Sequence, residues 1–86
     1  MTLPAQIAAI QKNASEEIRV CLQHFKGHDL CDIRVFGMFT TGKVFMPTGK
    51  GVAVNVMLLP DLIHALQEAE RKAREMGLLA KSEGKT

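Results

Sequence analysis

Ile18-Arg19-Val20-Cys21-Leu22-Gln23-His24-Phe25-Lys26-Gly27-His28-Asp29-Leu30-Cys31-Asp32-Ile33-Arg34-Val35-Phe36 is the stretch that decides the fold. Ile18, Val20 and Leu22 alternate with Arg19, Cys21 and Gln23, a period of two that marks a half-buried strand. Phe25 to Asp29 interrupts the pattern with a glycine-containing turn. A second strand then runs from Leu30 to Phe39, with Ile33 and Val35 on one face and Arg34, Phe36 and Met38 on the other. Its β-branched and aromatic residues favour strand over helix.

Downstream, Thr40-Thr41-Gly42-Lys43 reads as a hairpin turn with a glycine available for positive φ. Val44 to Met46 reads as a short third strand ended by Pro47, and Thr48-Gly49-Lys50-Gly51 as another turn. Val52 to Val56 completes a four-stranded meander whose connections suit antiparallel neighbours. Leu59, Leu62, Ile63, Leu66, Ala69, Ala73 and Met76 then recur at spacings of three and four, the apolar stripe of one long helix. Pro60 and Asp61 suit its first turn, and Gly77 its end. Glu68 with Lys72 and Glu70 with Arg74 have the spacing of solvent-facing ion pairs. Upstream, Leu3, Ile7 and Ile10 share that helical spacing, and Pro4 fits a first turn, so residues 2–13 suggest a short amphipathic helix.

The resulting expectation is an α+β fold: a four-stranded antiparallel meander followed by a long C-terminal helix. Residues 1–16 form an N-terminal extension, 17–79 the domain and 80–86 a polar tail. One helix covers one side of such a sheet, so the other side is where function is sought. At 86 residues the core is small, and oligomerisation is a common way to add stability. No apolar run approaches the roughly 20 residues that span a bilayer. The N-terminus lacks the pattern of a secretory signal, so a cytoplasmic protein without membrane contact is expected.

The formal net charge of +2 is too small to identify a nucleic-acid partner by itself. Residues 1–50 carry six bases and four acids, residues 51–86 five of each, so the excess lies in the first half. Nothing resembles a nucleophile elbow, a phosphate loop or a paired-carboxylate site, and no histidine has an evident nucleophile beside it. The expectation is a protein that is not an enzyme. Cys21-x2-His24-x3-His28-x2-Cys31 has zinc-ligand chemistry, but strand alternation sends Cys21 and His24 to opposite faces. Neither a metal nor any other cofactor is therefore expected, and both cysteines read as packing residues.

The run from His24 to Phe36, then Gly42, then Pro47-Thr48-Gly49-Lys50-Gly51-Val52-Ala53-Val54 resembles the positive cofactor four family. These are transcriptional coactivators with a domain for single-stranded DNA, and the family has bacterial members. The shared pattern is an aromatic-Lys-Gly turn, an Asp-Ile-Arg core followed by an aromatic, a glycine turn, and a proline with a Lys-Gly stretch before a helix. It covers roughly residues 17–76. The resemblance implies a homodimer whose C-terminal helices contribute to the dimer and whose sheets hold single strands on their outer surfaces. It implies that Phe25 stacks on a base while Lys26, Arg34 and Lys50 meet phosphates. His28, Phe36 and Lys43 complete the candidate nucleic-acid site, an aromatic platform beside cations.

Departures from the pattern are informative. Gly37 stands where animal members carry a tryptophan, and Met46 and Gly49 stand where basic residues are usual. His28 replaces a common lysine, and one extra residue lies between Gly42 and Pro47. Phe39 or Phe45 could supply a substitute platform. The expected binding is therefore weak and salt-dependent, and protonation of His28 below neutrality strengthens it modestly. The alternatives are a dimeric interaction module with a weakened ligand face, and a binder of single-stranded RNA. Transcription or repair proteins would be the further partners, with association to the nucleoid if the source is bacterial.

Overall fold

The computed structural model describes residues 3–38 and 44–80 of the chain. Four strands, β1 (Ala5–Asn13), β2 (Glu16–Phe25), β3 (His28–Met38) and β4 (Phe45–Asn55), form one antiparallel sheet in sequence order. A single 3-10 turn, Val56–Leu58, leads into one helix, α1 (Leu59–Glu75). The chain divides into two units, Met1–Val56 with the sheet and Met57–Thr86 with the helix. The α+β meander followed by a long C-terminal helix is thus the fold.

Two of its strands are not where the residue pattern places them. Residues 5–13 form an edge strand paired to β2, not a helix. Twelve residues make a marginal isolated helix, whereas pairing with β2 satisfies backbone groups along the whole segment. The register slips between Gln6 and Ala8, so Ala5 opposite Leu22 and Ala8 opposite Val20 share a face although three residues apart. A bulge gives a strand a local spacing that imitates a helix.

The second correction is at β4. The segments 44–46 and 52–56 belong to one continuous strand that passes through Pro47 and the glycines. Pro47 is tolerated because β4 is an edge strand. The Thr48–Lys50 segment is absorbed as an irregularity, since Arg34 pairs with Gly51 and Phe36 with Pro47. Gly51 is required there: a Cβ would lie 2.6 Å from the Ile33 carbonyl oxygen and 2.8 Å from Arg34 Cα. The expected 40–43 turn lies outside the described residues.

Between β2 and β3 the turn is tight. Phe25 pairs with His28, and the two residues between them, Lys26 and Gly27, have φ of 51° and 80°. Two successive positive φ angles match the twist of the flanking strands, and the glycine carries one of them without cost.

The register assigns the two faces. Ile18, Val20 and Leu22 stand opposite Val35, Ile33 and Cys31, and the last two stand opposite Val52 and Val54. This face is apolar, with Cys31 only 2% exposed. Burial pushes the Cys31 thiol above its ordinary pKa, with smaller contributions from Asp32 and Cys21. The other face carries Glu17, Arg19, Cys21, Gln23 and Phe25 against Phe36, Arg34, Asp32, Leu30 and His28.

The helix ends as its sequence suggests. Gly77 adopts φ 77°, its N–H donates to Arg74 O at 3.2 Å, and Leu78 N–H donates to Ala73 O at 2.8 Å. That pair of bonds is the Schellman closure. Arg74 pairs with Glu70 at 2.7 Å as expected, but Glu68 pairs with Arg71 at 3.0 Å rather than with Lys72. Arg71 also reaches Glu75 at 2.7 Å, so its planar fork serves two carboxylates.

Candidate nucleic-acid interface

The polar face of the sheet carries a groove lined by Phe25, Gln23 and Cys21 of β2, Asp32, Arg34 and Phe36 of β3, and Pro47 of β4. Pro4, just before β1, closes one side of it. Phe25 and Phe36 mark its two ends. Phe36 pairs with Glu17, eight residues along β2 from Phe25, which spans about 26 Å at roughly 3.3 Å per residue.

At the hairpin end, Phe25 is 58% exposed, so its ring is available for stacking rather than packed in a core. Lys26 Nζ lies 5.3 Å from the centre of that ring, held there by the turn's positive φ. His28 is exposed and directly opposite Phe25. An aromatic, a lysine and an imidazole thus share the tip. His24, on the other face, meets Asp29 at 2.7 Å between Nδ1 and Oδ1.

In the middle of the groove Arg34 is tied down. Its Nε and Nη2 donate to the two carboxylate oxygens of Asp32 at 3.0 and 2.8 Å, and its Nη1 donates to Thr48 O at 3.2 Å. The Asp32 carboxylate raises the Arg34 pKa above its ordinary value, so the guanidinium is charged at every working pH. At the far end, Arg19 lies over the Phe36 ring at 4.4 Å from its centre and 5.6 Å from that of Phe45. Its Nε donates to Glu17 Oε1 at 2.7 Å.

The structure therefore brings Phe25, Lys26, His28, Arg34 and Phe36 onto one face. Lys50 is exposed in the irregular segment of β4, opposite Val35, and is not part of the groove lining. Its charge is one of several that act on Glu16. Hydrogen bonds from Asn13 and Lys12 hold that carboxyl below its ordinary pKa against the opposing effect of desolvation, with smaller help from the charges of Lys12 and Lys50. Lys43 and Phe39 lie outside the described residues. Cys21 and His28 face the groove while His24 and Cys31 take the opposite side, so the four do not converge on one point. Among the described residues no cluster of three metal-ligating side chains occurs.

Residue-by-residue reasoning did not single out Arg19. The signal was present, because alternation along β2 places it with Gln23 and Phe25. What was missing was its register against Phe36, which only strand pairing supplies. Phe45 does join an aromatic cluster on this face, through Arg19.

The four-stranded antiparallel sheet, followed by one helix, presents aromatic and guanidinium groups along one face, the side-chain types that single-strand binding uses. Comparison with known proteins goes further. The Transcriptional Coactivator p15 (PC4) family matches residues 12–65, and the chain belongs to that family. It is similar to a PC4 homologue from Burkholderia pseudomallei, solved in two crystal forms. The orthorhombic form has a TM-score of 0.72 at 31% identity, with 79% of this chain and 90% of that one covered. The tetragonal form has 0.70 at 30%, with 78% and 97% covered. A bacteriophage T5 homologue of the eukaryotic coactivator PC4, implicated in recombination-dependent DNA replication, shares the fold at a TM-score of 0.60 and 19% identity, with 88% and 98% covered. No curated protein sequence matches the chain at a significant level. The family is one of DNA-binding coactivators, not a family of enzymes. No helix among the described residues is long and apolar enough to cross a membrane.

Proposed function

We propose that the protein binds single-stranded DNA without sequence preference, through the groove face of its sheet, as a homodimer acting in transcription or DNA maintenance. The observation that carries this reading is the placement of exposed Phe25 beside Lys26 at one end of a groove and Phe36 at the other, with the Arg34 guanidinium in the lining between them. Rings accept any base by its π-face, and cations follow the backbone, which is the chemistry of sequence-tolerant single-strand binding. A duplex hides its base faces in the stack and cannot use those rings.

The homodimer is supported by what a single chain leaves uncovered. Ile63, Leu66 and Met76 lie on the apolar stripe of the helical unit and are 50%, 58% and 61% exposed. Met57 and Leu58, just before α1, are 81% and 52% exposed. A second copy of the same stripe would remove this surface from water, at about 25 cal/mol per Å² of apolar area. Protein partners from transcription or repair would engage the dimer.

Fluorescence anisotropy of a labelled oligo-dT of about 20 nucleotides tests the proposal; that length exceeds the 4–16 nucleotides typical of such folds. Binding that salt weakens, and for which duplex competes poorly, is the expected result. Equal competition by RNA of the same length would make single-stranded RNA a second ligand. No anisotropy change at tens of micromolar folded dimer would reject the nucleic-acid reading and leave a protein-interaction module.

A further inference from the structure

We propose that Arg19 and Arg34 together form a single seat for one backbone phosphate on the groove face of the sheet, kept in readiness by Glu17 and Asp32. The inference rests on the single-strand-binding reading and adds a residue and a mechanism to it.

Arg19 and Arg34 are direct register partners across β2 and β3. Side chains so paired have Cβ atoms about 5 Å apart, and like charges directly opposite one another destabilise a sheet. This is the one like-charge pair along the β2–β3 register. The arrangement is tolerated because each arginine holds its own acid two residues back along its own strand: Arg19 with Glu17 at 2.7 Å, Arg34 with Asp32 at 2.8 Å. In the register Glu17 stands opposite Phe36 and Asp32 opposite Cys21, so the acids lie on opposite sides of the arginine row and draw the guanidiniums apart.

Neither guanidinium is exhausted by its acid. A guanidinium has five N–H donors. Arg19 uses Nε on Glu17, and among the described residues its two terminal nitrogens have no hydrogen-bond partner. Arg34 directs three donors to Asp32 and Thr48 O and keeps two more. Phe36 and Phe45 support the Arg19 side chain from the β3–β4 side. A phosphodiester between the two would convert their mutual repulsion into a shared attraction, and planar forks suit phosphate oxygens.

The test compares wild-type protein with Arg19→Gln, Arg34→Gln, the double variant and Glu17→Gln, by anisotropy of labelled oligo-dT over a salt series. Each single arginine variant is expected to weaken binding by about tenfold, as loss of charge-assisted hydrogen bonds does. Each lowers the slope of log affinity against log salt by about 0.7, one phosphate's worth. The double variant loses no further slope, because both residues serve the same phosphate. Glu17→Gln, which keeps Arg19 and loosens its tether, tightens binding by up to about threefold. An Arg19→Gln variant that binds like wild type overturns the seat, and so does a double variant whose slope falls by about 1.4, since the arginines then hold separate phosphates. Should Arg19→Gln fail to fold, unchanged or weaker binding by Glu17→Gln overturns it. Wild-type protein that binds no single strand overturns the proposed function itself, a different result from wild-type binding with an indifferent Arg19.

Discussion

The β2–β3 hairpin has two faces built from the same residues in alternation, and they follow different rules. On one, Ile18, Val20, Leu22, Cys31, Ile33 and Val35 meet across the strands with nothing to satisfy but area. On the other, each charge of the register belongs to a local pair, Glu17 with Arg19 and Asp32 with Arg34, and Lys26 of the turn sits beside the Phe25 ring. The first face tolerates changes of chemistry poorly, because burial is what it contributes. The second contributes little to cohesion, because its ion pairs are partly exposed and solvent screening weakens such pairs. A period of two therefore separates what holds the sheet together from what it presents.

The largest effect is expected where the strands approach most closely. Gly51→Val is expected to cost about 3 kcal/mol or more, since a Cβ there meets backbone atoms of Ile33 and Arg34 that cannot yield like a flexible side chain. Urea denaturation measures this, and a loss below about 1 kcal/mol would show that the β3–β4 approach is looser than described. On the apolar face, Ile33→Ala is expected to cost about 2 kcal/mol, the low end for deleting a buried aliphatic group because the residue is only half-buried. On the polar face Phe25→Ala reverses the pattern. Stability changes by less than about 0.5 kcal/mol, as for an exposed site, while binding to oligo-dT weakens by about 1–3 kcal/mol, the worth of one stacked base. If Phe25→Ala melted the domain instead, the two faces would not be separate in function.

The smallest effect concerns pH. Glu16, held below its ordinary carboxylate pKa chiefly by the Asn13 and Lys12 hydrogen bonds, favours the folded state when ionised. That contribution is complete above the unfolded-state pKa of about 4.3 and fades as pH falls through the lower folded value. Amide exchange at the β1–β2 turn followed between pH 5 and 3 should lose protection in wild type, with a shallower dependence in Glu16→Gln. An identical profile in the variant would assign the acid sensitivity elsewhere.

Much of this architecture was legible in the residues. Alternation from Ile18 to Phe36 marks both central strands and their faces, and residues 25–29 mark the turn between them, which pairing of Phe25 with His28 narrows to Lys26-Gly27. The helix and its Gly77 stop follow from spacing and from glycine's access to positive φ. The edges were harder, for a physical reason. At β1 a bulge near Ile7 gives a strand the three-residue spacing of a helix. At β4, Pro47 and the glycines look like a break, yet an edge strand needs no N–H from Pro47 and the close approach to β3 demands Gly51. The candidate site was legible where family pattern and alternation agree, at Phe25, Lys26, Arg34 and Phe36. Arg19 was hidden because its partners, Arg34 and Phe36, come to it only through strand register.

The division between the faces is tested most directly by an NMR titration of the isotope-labelled protein with unlabelled oligo-dT. The side-chain Nε–H signals of Arg19 and Arg34 and the ring signals of Phe25 and Phe36 report the polar face, and the methyl signals of Ile18, Val20, Ile33 and Val35 report the other. The arginine and phenylalanine signals are expected to shift progressively to saturation while the methyl signals stay in place. Methyl shifts with unmoved arginine and phenylalanine signals would contradict that division, placing the ligand on the opposite side of the sheet.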